Sequence, residues 1–319
     1  MRRRDFVTMI GVAAAGLPLS AHAQRAAMPR LGVLLVGNRQ PFLRLFSDGL
    51  RELGYVEGRN LRIDLRSAEG RLDRLPGLAA ELVGLKVDII VASETPAVQA
   101  AKRATRDIPI VMAPSGDPVG TGLIASLAKP GGNVTGLSAA TAELAGKSLE
   151  LIREIMPGLR RVAALADPSN AFTKPFLEHI DLVGRTSGVE VHPIMVRSTE
   201  DLGTAFADMA AKRIEAVIVQ PTLPRAPIVA LLKTHRMPAV SGNRAFADAG
   251  GLLSYSGSLA DRYRNAAPYV DRILKGARPA DLPVQQPVRF ELVVNAKTAN
   301  ELGLVIPPAL IARADEVIE

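Results

Sequence analysis

From Leu31 onward the chain runs twice through the same series of short apolar strands and amphipathic helices. Residues 31–36 are an unbroken apolar run. Residues 41–53 then place Phe42, Leu45, Phe46, Leu50 and Leu53 on one helical face, closed by Gly54. The pattern predicts strands at 61–65, 87–92 and 108–112 and helices at 72–85 and 96–105. A second series predicts strands at 161–166, 189–196, 214–219 and 237–240 and helices at 174–186, 202–212 and 226–235. The third strand of each series carries a lone acid (Asp88, Glu215), and the fourth carries a proline (Pro109, Pro238). Strands that are apolar throughout, with a helix between each pair, belong to parallel sheets covered on both faces. A repeated series of this kind reads as two similar α/β lobes.

Three further segments, 134–137, 252–255 and 288–295, read as extended, the first two after Gly-rich turns. Helices are predicted after them at 142–155, 259–274 and 296–302. Such strands either carry the chain between two lobes or form the edges of one large sheet, and periodicity leaves both open.

The N-terminus predicts export. Arg3-Arg4-Asp5-Phe6-Val7 is a paired-arginine start, residues 9–19 lack charge, and Ala21-His22-Ala23 places small residues before a cut at Gln24. Residues 1–23 are therefore read as a twin-arginine-type signal peptide, and the remaining 296 as a periplasmic protein. That length exceeds the ~150 residues one core usually holds, which again favours two lobes. The expected division is 29–135 with 256–285 for one lobe and 138–252 with 290–319 for the other.

Composition narrows the chemistry. The chain has no Cys, which excludes disulfides, thiol nucleophiles and thiolate metal sites. His179, His192 and His235 show no metal-ligand spacing, so neither metal nor cofactor is expected. The net charge of +7 falls to +5 without the signal, and the basic residues are interspersed with acidic ones, so nucleic acid is not an expected partner. Past the signal no apolar run reaches membrane-spanning length. No GxSxG elbow, P-loop or helix-opening GxGxxG is present. The first fifty residues leave no room for a helix-turn-helix, which removes a transcription regulator of similar architecture.

Several long stretches resemble the substrate-binding proteins of ABC importers. They include EGRN at 57–60, AEGRLDRLPGLAAELV at 68–83, SGDPVGTGLIASLAKPGGNVTG at 115–136, FADAGGLLSYS at 246–256, RILKGARPADLPVQQP at 272–287 and ALIARADEVIE at 309–319. The resemblance spans essentially the whole chain. It implies a type I periplasmic-binding fold, with two Rossmann-like lobes joined by three crossovers and a small solute held between them. Relatives include binders of tryptophan and other aromatic amino acids. The expected protein is a monomeric, non-enzymatic receptor that passes an amino-acid-like or carboxylate solute to ABC permease membrane subunits. An exported hydrolase-like α/β enzyme is the alternative.

Ligands of open parallel sheets lie beyond the carboxyl ends of the strands, where helix N-termini offer unpaired N–H groups. That rule nominates Asn38 after the first strand and Ser93 and Thr95 after the third. The two hydroxyls either donate to a carboxylate or cap the helix. Ser115, Gly116 and Asp117 follow the fourth strand, where glycine permits close approach and Asp117 either pairs an ammonium or makes an Asp-Pro turn. From the second series come Asn170, Phe172, Thr222, Asn243 and Arg244. Phe172 either packs a ligand side chain or seals the lobe edge, and Arg244 either holds a carboxylate or is solvated. Tyr255, on the second extended segment, either faces the cleft or packs a hinge.

Overall fold

The computed structural model describes residues 28–37 and 39–319. The expected signal peptide and the nominated Asn38 lie outside the described residues. The first series forms β1 (Arg30–Leu35), α1 (Gln40–Glu52), β2 (Arg62–Ser67), α2 (Leu75–Gly84), β3 (Ile89–Ala92), α3 (Thr95–Ala104) and β4 (Ile110–Ser115). Then come β5 (Val134–Ser138) and α4 (Thr141–Ile155). The second series forms β6 (Arg161–Ala166), α5 (Thr173–Ser187), β7 (Glu190–Met195), α6 (Leu202–Ala211), β8 (Ala216–Val219), α7 (Arg225–Thr234), β9 (Ala239–Ser241) and α8 (Arg244–Asp248). The chain ends with β10 (Leu253–Gly257), α9 (Leu259–Arg264), α10 (Ala267–Leu274), β11 (Phe290–Asn295), α11 (Ala296–Leu302), α12 (Pro308–Ile311) and β12 (Glu316–Ile318).

Two sheets result, ordered β2-β1-β3-β4-β5 and β12-β11-β10-β9-β8-β6-β7. The pairing is parallel throughout except between β10 and β11. The order β2-β1-β3-β4 recurs as β7-β6-β8-β9, so each sheet reverses direction beside its first strand. Each sheet is covered on both faces because alternate residues of a strand point to opposite sides. In β1, Leu31, Val33 and Leu35 join Phe42, Phe46 and Leu50 of α1 and Val270 of α10, while Leu34 faces Leu82 of α2 and Val98 of α3. In β6, Val162 and Ala164 meet Ile152 of α4 and Phe176 of α5, while Ala163 and Leu165 meet Phe206 of α6 and Ile228 of α7.

The repeated acids and prolines do the same work in both sheets. Asp88 accepts a hydrogen bond from Arg30 N (2.7 Å), at the start of the neighbouring strand, and Glu215 accepts from Arg160 N and Arg161 N (2.7 and 2.8 Å). Burial alone would raise Glu215, but those backbone N–H groups and the adjacent arginines outweigh it and hold the carboxyl below its ordinary range. Pro109 O accepts from Ile90 N and Pro238 O from Val217 N, both at 2.9 Å. A proline suits each position because only its carbonyl is used there.

The three extended segments are β5, β10 and β11, and the chain passes between the sheets beside each of them. Two of the passages touch, through Ser138 N to Gln285 O (2.9 Å) and Gln285 N to Gly136 O (3.1 Å). Gly136 has φ 120°, and a Cβ there would lie 2.5 Å from Met112 O, so this crossing requires glycine. Some elements differ from expectation. Helix 72–85 opens with a 3₁₀ turn at Leu72–Arg74. Helix 259–274 is two helices, because Pro268 supplies no N–H and begins α10 instead. The segments α8, α12 and β12 lacked enough apolar periodicity to be read in advance. After β10 the chain returns to the first sheet, where Tyr263 of α9 packs edge-on against Phe42 of α1, ring centroids 5.2 Å apart.

Candidate ligand cleft

The carboxyl ends of β3, β4 and β5 face those of β6, β8 and β9 across a cavity of about 120 Å³ that is partly open to solvent. Ser93, Glu94, Thr95, Pro114 and Gly116 line it from the first sheet, together with Arg262 and Tyr263 of α9. Phe172, Pro221, Thr222, Gly242 and Asn243 line it from the second, and Ala139 and Thr141 from the β5–α4 crossover.

Of the nominated residues, Ser93, Thr95, Gly116, Phe172, Thr222 and Asn243 come together on these walls. Thr95 Oγ1 lies 3.0 Å from Ser115 Oγ and accepts from Gly116 N (3.1 Å). Ser115 is fully buried behind that pair, so it orients Thr95 and does not face the space. Gly116 abuts the second wall: a Cβ there would lie 2.8 Å from the Phe172 ring. Asn170 donates to Thr222 Oγ1 (3.1 Å) and accepts from Phe172 N (3.0 Å), fixing two lining residues from an adjacent groove. Asn243 accepts from Ala245 N (3.1 Å) and caps α8.

Three nominated residues sit elsewhere. Asp117 accepts from Gly120 N (2.9 Å) and closes the Asp-Pro turn. Arg244 points away from the cleft to Glu316 (2.5 Å) and Asp248 (3.8 Å), because β12 brings a carboxylate beside it. Tyr255 stacks on Phe290 of the antiparallel neighbour β11, ring centroids 5.7 Å apart. Among the described residues the charges that line the space are Glu94 and Arg262, neither of them nominated.

Glu94 precedes α3 with φ 72° and ψ 148°, a backbone region that favours glycine. Its side chain has no hydrogen-bond or ion-pair partner among the described residues. Burial pushes its carboxyl up to about 7, against the pull of Arg262 and, from the far wall, Arg225. Arg262 Nε is itself buried without a hydrogen-bond partner. Beside it, burial raises the Tyr263 phenol, which the Arg262 charge partly offsets. The cleft thus holds a carboxylate and a guanidinium that do not satisfy each other. Among the described residues no group of three or more His, Cys, Asp or Glu could hold a metal ion. No helix among them is long and apolar enough to cross a membrane.

Known proteins share this architecture. A conserved domain protein from Vibrio cholerae superposes with a TM-score of 0.85 at 27% identity, covering 91% of this chain and 99% of that one. The ABC domain in complex with L-Trp from Streptococcus pneumonia superposes with a TM-score of 0.83 at 30% identity over the same shares. A tyrosine-binding protein of Clostridioides difficile (strain R20291) is 28% identical over 264 residues, 81% of this chain and 75% of that protein. The family model for ABC transporter substrate binding protein matches residues 43–318. With two doubly covered sheets, a shared cleft and a match over most of its length, the chain belongs to the ABC transporter substrate binding protein family.

Proposed function

We propose that this protein is a periplasmic receptor that captures an amino-acid-like zwitterion between two lobes and delivers it to ABC permease subunits without catalysis. The observation that carries the reading is the pair of opposite charges, Glu94 and Arg262, that line one cleft between the two sheets without hydrogen-bonding or ion-pairing to each other. A half-buried charge left without a partner is costly, so a solute bringing an ammonium and a carboxylate gains from both groups at once. Phe172 and the Tyr263 ring supply apolar surface for its side chain, and Thr95 and Thr222 supply hydroxyls from opposite walls. The relatives that bind tryptophan and tyrosine support the same class of solute.

The lobes of this reading are residues 29–135 with 256–285 and 138–252 with 290–319, closing as two bodies on a monomer. Residues 1–23 serve as its export signal. A solute touching both walls stabilises the closed form over the open one. At one hundred times its dissociation constant such a solute adds about 2.7 kcal/mol of stability. A thermal-shift screen of amino acids, their des-amino analogues and small dicarboxylates therefore tests the proposal. Stabilisation by amino acids supports it. A flat screen, with turnover of an ester or amide by the purified protein, replaces it with the exported-enzyme reading.

A further inference from the structure

We propose that Glu94 is the specificity-determining group of the cleft, taking the ammonium of the solute in exchange for a proton released to solvent. This rests on the zwitterion reading above. The backbone makes the first argument. At φ 72° and ψ 148° Glu94 occupies a region that side-chain-bearing residues avoid, yet it is pinned there by Glu94 N to Pro114 O (2.8 Å) and Val98 N to Glu94 O (3.2 Å). The strain places a carboxylate where glycine would fit more easily.

The surroundings make the second argument. Among the described residues Glu94 is the only acid lining the cleft, and the charged or titratable groups that face it are Arg262 and Tyr263 of α9 and Arg225 at the start of α7. Ser93 flanks it on its own loop. None of these pairs with the carboxylate, and burial keeps it about half protonated at neutral pH. An ammonium brought against it favours the ionised form, so the proton departs as the ligand enters. A des-amino acid offers no such exchange and gains nothing from Glu94.

The test is calorimetric titration of the full chain and of Glu94→Gln between pH 5.5 and 8.5. The probes are L-tyrosine, L-tryptophan and their des-amino 3-arylpropionic acids, in two buffers of different ionisation enthalpy. The wild type is expected to prefer the amino acids by about tenfold or more at pH 8 and to lose about tenfold in their affinity per pH unit below 7. At pH 6 it is expected to release most of one proton per amino acid bound. Glu94→Gln should lose the preference, the pH dependence and the proton release while still binding the arylpropionates. Glu94→Gly, which also relaxes the backbone, should match it and guards against a folding defect in the Gln variant. PH-independent amino-acid binding that survives in Glu94→Gln overturns the role of Glu94 and leaves the zwitterion reading standing. A wild type that binds only the arylpropionates, or none of the probes, overturns both.

Discussion

Two single residues set the terms on which the cleft works. Glu94 lies in a loop that the strand-end rule marks out, but only its flanking hydroxyls were legible there, because nothing in the sequence reveals a positive φ at a glutamate. If that φ stores strain, Glu94→Gly should be more stable than Glu94→Ala by about 1–3 kcal/mol, reversing the usual cost of glycine. Denaturant melts of the two ligand-free variants measure this, and equal midpoints would remove the strain. Gly116 was legible for its lack of a side chain, although not for the ring it meets. A methyl group there collides with Phe172 at 2.8 Å, across the cleft. Gly116→Ala should therefore hold the walls apart and weaken ligand binding about tenfold or more, while ligand-free stability moves by less than about 0.5 kcal/mol. Adding Phe172→Leu should restore part of the affinity; an unchanged double variant would place the fault elsewhere.

At the level of elements, the sequence was most readable where burial imposes periodicity. The strands of both series and their covering helices fall within a few residues of expectation, since the central strands, buried on both faces, are apolar almost throughout, while the edge strands β2 and β7 mix apolar with polar residues. Asp88 and Glu215 were visible as a matched pair, but their task of receiving the backbone N–H of the first strand appears only once β1 and β3, or β6 and β8, lie side by side. Arg262 and Tyr263 escaped notice for a related reason. They sit on α9, whose position depends on a crossover that brings residues 259–264 back to α1, and local spacing carries no trace of that return. The same long-range placement draws Arg244 to Glu316 and out of the cleft. Glu215→Ala should cost about 0.5–1.5 kcal/mol at pH 7, since two backbone donors, one exposed and one half-buried, lose their acceptor. Its carboxyl is held low in the fold, so that contribution is present above the ordinary value of 4.5 and is lost as pH falls through the folded one. Melting curves of the variant and wild type should accordingly converge in acid.

For the molecule as a whole, the ligand-free cleft carries an electrostatic cost that ought to be visible in global stability. Glu94 has its carboxyl raised from 4.5 to about 7 by burial, so the folded chain holds a proton that the unfolded chain has already lost between those values. A raised group of this kind contributes stability that is complete below pH 4.5 and disappears as pH climbs through 7. Other carboxylates, Glu215 among them, act in the opposite direction, so the wild-type profile alone cannot isolate Glu94. Glu94→Gln can, because glutamine has nearly the shape of the protonated acid and does not titrate. The two ligand-free proteins should have matching stabilities near pH 4 and separate between pH 4.5 and 7. Above pH 8 the variant should be more stable by about 1–3 kcal/mol, the upper end applying only if solvent screens little of the shift. A saturating zwitterion should close that gap at pH 8, since its ammonium supplies the counter-charge the empty cleft lacks. Parallel profiles for the two ligand-free proteins from pH 4 to 8 would mean that water already solvates Glu94, and the cost assigned to the open charge would vanish with the difference.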